Sequence, residues 1–561
     1  MSTRRDFRYY FLLLSLMFCA SVSWLVADGT DTSPASTPPA LPVLMQPEAI
    51  PQRQMLLALG RSGPAAASHV PAMQKLLRDK AEPIRHAAAY ALARVGTAAE
   101  TALPEIMAAL TDESPRVRRE VFRILAIMGP KAAAAVEPIE KSLSTLAPEE
   151  AVWARLALLK IGRYPGVQRF HLLKTRGQAP AANMAGAIAM LSAGNDMAPV
   201  FADLMASAWE HPNPLARDVY AFIVSGLKPA LTVTGDVPEK TPPEVQEMIE
   251  SLKQPGRLAL AVDLGQMGTD ARAASAAIQR WQDVPEQQER VWAFHGLARI
   301  GYETEKNIRA IAEILRAPAP LARVHAAGAL EMMAPLSMPA LDNLIAAVDD
   351  PDAQVRDFVL AALGQLRSPK AVPTVKRVIA ESPAGALLAL GRIGAASAPA
   401  IDMMKSHLAS TNAYVRRAAA YALSSVGKPA ESAVRELAAL LQPTESPDVR
   451  REALKALAAI GPTAGTVSSE LESAARTLPP YEAVLAHFAL LMADVHPNNH
   501  LEYFLKTLAQ EDQPDARLAA SLALLAVGDK ARPVWAAIND AEQQNGCPLV
   551  RDVMRIIIDK D

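Results

Sequence analysis

Apolar residues in this chain return at the spacing of a helix, in pairs of short runs separated by polar breaks. From Thr101 to Leu110 they stand at Leu103, Ile106, Met107 and Leu110, and from Arg116 to Met128 at Val117, Val121, Ile124, Leu125 and Met128. Each set fills one face of a helix of 3.6 residues per turn. Asp112-Glu113-Ser114-Pro115 interrupts them, with acid and serine suited to cap a helix and proline suited to its first turn. Gly129 then closes the second run, a C-cap signal because glycine takes left-handed conformations freely. Neither helix covers its apolar stripe alone, so the pattern predicts stacking on neighbouring copies.

The copies are present. Asp79–Gly96 (DKAEPIRHAAAYALARVG) returns as Ser410–Gly427 (STNAYVRRAAAYALSSVG), 331 residues on, or ten periods of about 33. Closing glycines at Gly63, Gly96, Gly129, Gly162, Gly194, Gly226, Gly268, Gly301, Gly394, Gly427, Gly461 and Gly528 set the phase. Longer steps fit units ending near Pro335, Leu366 and Asp494. The prediction is an all-α fold, a right-handed α-solenoid of about fifteen two-helix repeats. Regularity lapses in three places. The units ending at Gly162, Gly194 and Gly226 lack the Val-Arg pair, with Arg155 and Arg217 as substitutes. An insertion within Leu227–Pro243 predicts a protruding loop, and the unit ending at Gly394 has a second helix shortened around Ser382-Pro383.

The turn acid, the Val-Arg or Ile-Arg pair, the alanine run and the closing Leu-x-x-x-Gly resemble HEAT repeats, in particular the short kind also found in phycobilin-lyase-type proteins. Asp112, Val117-Arg118 and Gly129 carry the likeness, as do Pro447–Gly461 and Pro514–Gly528, over roughly residues 50–535. The resemblance implies that the arginine eleven residues before each glycine links turn acids into a ladder between units. These are Arg85, Arg118, Arg257, Arg290, Arg416, Arg450 and Arg517; Asp79, Asp112, Asp350 and Asp512 lie five or six residues upstream of Arg85, Arg118, Arg356 and Arg517. It also implies that the second helices line a concave face, with positions −10 and −6 from the glycine on one stripe. There stand His86 and Tyr90, Arg119 and Arg123, Tyr220, His295, Arg417 and Tyr421, and Arg451 and Lys455. Arginine and tyrosine concentrate binding energy at protein interfaces, so these ten residues are the candidate partner-binding set. A competing reading is that each tyrosine or arginine packs over the next unit.

Composition changes this picture only at the N-terminus. The net charge of −2 carries no basic bias and gives no support to nucleic acid as partner. Arg4, Arg5 and Arg8 precede the apolar run Tyr9–Ala27, so residues 1–27 read either as a cleaved secretory signal or as an uncleaved signal anchor. Phe18 beside Cys19 disfavours a lipoprotein site. Residues 28–47, rich in Thr, Ser and Pro, form a linker, and residues 48–561 the solenoid. Removal of Cys19 with the signal leaves Cys547 without an intrachain partner, so packing alone must hold the exported fold.

Catalytic constellations do not emerge. The chain has no Gly-x-Ser-x-Gly elbow, Walker-type loop or Cys-x-x-Cys, and no repeated His-Glu pairs of the kind HEAT-type di-iron enzymes use. Asp349, Asp350 and Asp352 read as a turn and helix cap rather than a calcium loop. His496 and His500 lack a third ligand nearby, and Pro497 with two asparagines predicts a loop between them. The lyase likeness implies chromophore handling inside photosynthetic cells, a setting from which an exported chain departs. The expectation is therefore a non-enzymatic scaffold without cofactor or metal, exported to the periplasm or beyond. It engages protein or peptide along the concave face and meets membrane only through residues 9–27 if these are uncleaved. The alternatives are an accessory subunit docking an exported enzyme, and an enzyme with a dispersed site.

Overall fold

A computed structural model describes residues 49–254 and 256–558. The expected signal or anchor (residues 1–27), the expected linker (28–47) and Cys19 lie outside the described residues. Among these the regular secondary structure is all helix, and no strand forms. It divides into two compact units, one up to Met197 and one from Ala198.

Helix pairs follow one another as the periodicity predicts. In the third repeat the second helix runs Pro115–Met128, with Val117, Val121, Leu125 and Met128 all but fully buried. Its first helix is composite: a 3-10 turn Gly96–Ala102, a short α-helix Leu103–Ala108, then a 3-10 turn Ala109–Thr111. Ser114 takes the cap position without capping. Its hydroxyl donates to Glu82 Oε1 at 2.9 Å, and Asp112 accepts the Ser114 amide at 2.8 Å, which shapes the turn. Asp352 does cap its helix, accepting from the amides of Gln354 and Val355. One further pair, Gly528–Gln544 and Pro548–Ile558, extends the array beyond its last predicted closing glycine.

The predicted closing glycines have positive φ except Gly226, which ends its helix in ordinary conformation. Gly96 and Gly427 adopt φ 73°, ψ −138° and φ 72°, ψ −137°. This is not the left-handed helical well but a region essentially open to glycine alone. The loss of that geometry at Gly226 coincides with the insertion: Leu227–Pro242 carries no helix. The segment does not simply protrude. Val233 lies close against Gly301, while Leu231 and Val237 are exposed. The shortened helix is Pro383–Ile393, as expected.

The arginine ladder forms, with a register that sequence distance conceals. Arg85 donates to the backbone carbonyl of Asp79 in its own turn (3.0 Å) and grips the carboxylate of Asp112 in the next (2.7 Å). Arg118 repeats this with the Asp112 carbonyl and the Glu150 carboxylate, both at 2.6 Å. Arg416 pairs with Glu445 (2.6 Å) and Arg450 with Glu482 (2.6 Å). Arg323 pairs with Asp350 (2.7 Å), a rung the glycine count missed because that unit ends at Pro335. Asp112 and Asp350 thus give their own arginines, Arg118 and Arg356, a carbonyl and offer their carboxylates to the arginine of the preceding repeat.

Arg257 and Arg290 do not make rungs. Arg257 is exposed ahead of the helix Ala259–Gln266, and Arg290 Nε is buried without a hydrogen-bond partner. The turn that should serve Arg290, Ala317-Pro318-Ala319, contains no acid. Arg517 turns to the amide oxygen of Asn545 and the carbonyl of Leu508 rather than to a carboxylate.

Candidate partner-binding face and the hairpin that covers it

The stripe at positions −10 and −6 is largely covered. In the first unit Tyr90 is buried and His86 half-buried; Arg123 is buried, with Arg119 half-buried beside it. Both guanidinium groups lie over the indole of Trp153 on the next second helix, Pro148–Ile161, at 4.6 Å and 5.2 Å from the ring centre. Tyr90 leans on Gly60 of the preceding unit: a β-carbon there would sit 2.4 Å from the ring. Tyr421 does the same over Gly391, at 2.6 Å. The packing alternative holds for both tyrosines. The sequence carried its signal, since Leu-Leu-Ala-Leu-Gly-Arg-x-Gly occurs at Leu56–Gly63 and again at Leu387–Gly394. The third residue before each closing glycine is a glycine that makes room for the tyrosine thirty residues later.

In the second unit a hairpin occupies the stripe. Its helices, Phe201–Glu210 and Pro214–Gly226, are capped at the second by Asn213, which accepts from the amides of Leu215 and Ala216. They pack chiefly on each other rather than in line with the helix Ala259–Gln266. No residue from Phe201 to Trp209 is exposed, the mark of a helix surrounded on all sides.

The first helix of the hairpin enters through three side chains. Asp203 accepts from Gln266 Nε2 (3.2 Å) and lies 3.6 Å from Arg299. Phe201 receives the guanidinium of Arg367 at 4.7 Å. Trp209 is caged on the helix Ala413–Val426: the Arg417 guanidinium lies 3.6 Å over its ring, and Tyr414 and Tyr421 flank it. The indole N–H donates to Tyr414 Oη at 3.0 Å, and Arg417 Nη2 donates to the Trp209 carbonyl at 3.0 Å.

The second helix enters through charge. Arg217 pairs with Asp448 at 2.5 Å on the helix Pro447–Ile460. Asp218 is held between Lys455 and the phenol of Tyr481, the latter on the helix Pro480–Met492. Arg451 pairs with both Asp448 and Glu482. Burial, reinforced by the Asp218 carboxylate, pushes the Tyr481 phenol well above its ordinary value, so it stays a donor. Burial acts to lower Lys455, yet Asp218 and Glu452 outweigh it and hold the ammonium charged. At Asp448 burial acts upward, and the Arg217 hydrogen bond prevails to hold it ionised.

Of the ten candidate residues, Arg417, Tyr421, Arg451 and Lys455 are thus brought together, but around the chain's own Trp209, Asp448 and Asp218. Tyr220 lies within the hairpin, fully buried beside His211. His295 is fully buried near Trp292, and burial, with Arg299 nearby, lowers its basicity well below the usual value. Neither ring nitrogen of His295 has a hydrogen-bond partner. Sequence reasoning missed Trp209, Asp218, Tyr414, Asp448 and Tyr481. Arg217, proposed as a substitute rung, serves the hairpin instead.

His496 and His500 do not share a site. Pro497 begins a helix, Pro497–Leu508, rather than a loop, because its missing N–H costs nothing in the first turn. His500 then faces His487, with the two Nδ1 atoms 2.8 Å apart. Among the described residues no group of three His, Cys, Asp or Glu side chains is placed to hold a metal ion.

Comparison with known families finds HEAT repeats at residues 308–388, 381–458 and 401–479, and a PBS lyase HEAT-like repeat at 84–112. No curated protein matches the chain. Among solved structures, the karyopherin Kap121p bound to the extreme C-terminus of the protein phosphatase Cdc14p is 12% identical, over 92% of this chain and 64% of that one, with a TM-score of 0.39. The chain spans a little under two thirds of its length. A Kap95:Nup1 complex is 12% identical over 92% of this chain and 80% of that one, with a TM-score of 0.43. Importin beta in an ammonium sulfate condition is 14% identical over 90% and 73%, with a TM-score of 0.36. Paired helices, closing glycines and the matched repeats together make the chain an α-solenoid that carries HEAT repeats.

Proposed function

We propose that the protein is a non-enzymatic scaffold that engages protein or peptide partners at the cell envelope. The observation that carries this reading is the stacking of Arg119 and Arg123 on Trp153 of the next second helix, with half-buried His86 on the second helix before them. The Arg85 and Arg118 rungs hold those helices in register. Arginine stacked on tryptophan, here with Arg119 half-buried over the buried Trp153 ring, is a chemistry that anchors peptide interfaces. No catalytic family is among the matches.

Export rests on the charged and apolar pattern of residues 1–27, as a cleaved signal or a membrane anchor. The partner set comprises protein or peptide, with membrane contact only through residues 9–27 if these are uncleaved. Crosslinking of the tagged full chain in its native cells, with Arg119→Ala/Arg123→Ala alongside, tests the binding role. Loss of specific adducts in the variant, with helicity unchanged, is the expected result; the same adducts from both chains would refute the site. Fractionation and N-terminal sequencing of the mature chain test export, and recovery in the cytoplasm with Met1 intact would overturn it.

A further inference from the structure

We propose that the hairpin Phe201–Gly226 is a releasable latch, an internal ligand covering a second binding wall whose outside partner presents a tryptophan and an aspartate on a helical hairpin. This deepens the binding role proposed above and rests on that reading.

Three observations carry the inference. The hairpin has its own apolar core, since Leu204, Leu215, Val219 and Ile223 are buried while its two helices pack chiefly on each other. Besides the Phe201 and Asp203 contacts and close packing on the helices Pro320–Met333 and Pro514–Val527, it meets the wall through Trp209 in the Arg417–Tyr414–Tyr421 cage, Arg217 on Asp448, and Asp218 between Lys455 and Tyr481. Contacts of this kind, one aromatic anchor with charge pairs around it, have the anatomy of an interface between partners rather than of a repeat stack. Repeat stacking elsewhere in the unit runs through alanine and leucine, as between Ala413–Val426 and Pro447–Ile460.

Connectivity is the third observation. Leu227–Pro242 is free of helix between the hairpin and the next pair, and sixteen residues of extended chain reach on the order of 50 Å. On its C-terminal side the hairpin is thus tethered by a segment long enough to let it swing from its seat about Val200, where the 3-10 helix Gly194–Val200 meets Phe201, once Val233 leaves Gly301, while the stack behind it persists. The wall it would expose holds Arg417, Arg451 and Lys455 with Tyr414, Tyr421 and Tyr481, which together fit an indole, its backbone carbonyl and a carboxylate.

Native-state hydrogen exchange on the full chain tests release directly. The expected result is that amides in residues 201–226 exchange by an opening that leaves residues 413–460 protected. Exchange of both segments only in one common opening would make the hairpin a fixed keystone and overturn the proposal. Binding of a fluorescein-labelled peptide of residues 199–228 tests the wall. It should bind the full-length Trp209→Ala/Asp218→Ala variant at least tenfold more tightly than the unaltered chain, and Arg417→Ala added to that variant should abolish the gain. Equal binding to all chains, or none to a variant of undiminished helicity, would also overturn it. Loss of partner capture through Arg119 and Arg123 bears on the first unit only, so failure of the broader binding role is read separately.

Discussion

Arg417 and Trp209, 208 residues apart in sequence, are joined twice: the guanidinium lies 3.6 Å over the indole, and its Nη2 donates to the tryptophan's own carbonyl at 3.0 Å. Ring and backbone are therefore recognised together, which fixes the orientation of the hairpin as well as its depth. Burial lowers the guanidinium's basicity from its ordinary value, with Glu452 opposing that shift. Trp209→Ala should cost about 3–5 kcal/mol, the range for removing a buried large aromatic. Urea denaturation with a probe in the second unit measures it; a loss below about 1 kcal/mol would mean that the cage contributes little to stability.

A rung of the ladder should behave as a buried ion pair. Arg450 and Glu482 have side chains only 5% and 3% exposed. Arg450→Ala leaves the carboxylate with only Arg451, at 3.3 Å, and should destabilise by about 1.5–3 kcal/mol, whereas Arg450→Met with Glu482→Leu should be close to neutral. Arg257→Ala, at an exposed position without a rung, should change stability by less than about 0.5 kcal/mol. Chemical denaturation of the four chains decides whether the ladder acts as described.

Gly391 is a helical glycine kept for space. Alanine there gains about 1 kcal/mol of helix propensity but puts a β-carbon 2.6 Å from the Tyr421 ring and 3.1 Å from the Ala422 Cα. Overpacking of this kind costs about 1–3 kcal/mol, so Gly391→Ala should be destabilising on balance. In a Tyr421→Ala background the same change should cost less, and that non-additivity is the measurable signature.

Acid should loosen the second unit through its histidines. Burial lowers His325 to about 4, and burial together with His500 lowers His487 to about 4, both from an ordinary 6.5. These imidazoles are neutral in the folded chain and bind protons more readily once it unfolds. Their contribution is therefore complete above about pH 6.5 and is lost as pH falls from there toward 4. The melting temperature should drop between pH 7 and pH 5, and His487→Gln should flatten that drop. A slope unchanged by the substitution would show that other groups dominate.

The fold was legible because each repeat states it locally. Val117, Val121, Leu125 and the closing glycine specify one helix and its end without reference to anything distant. The face was legible only as residue types. Spacing puts Tyr421 on one stripe with Arg417, but whether the stripe is open depends on Gly391 thirty residues before it and on Trp209 more than two hundred residues before it. Periodicity carries no information about a hairpin that leaves its file. The one local hint was negative: the Val-Arg pair is missing and the insertion follows Gly226. An element that no longer stacks no longer needs the ladder, and Arg217 was free to be used elsewhere.

The register of the rungs gives the array a direction. Where a rung forms, the cation is neutralised by an acid of the following repeat, as Arg85 is by Asp112 and Arg450 by Glu482, whereas Arg517 meets the amide oxygen of Asn545 and the carbonyl of Leu508. Cutting between two such repeats strands the arginine on the N-terminal piece and the turn acid on the C-terminal piece. Shortened versions of this chain should therefore carry unpaired charges of opposite sign at their new ends, a cation where the C-terminal side is lost and an anion where the N-terminal side is lost.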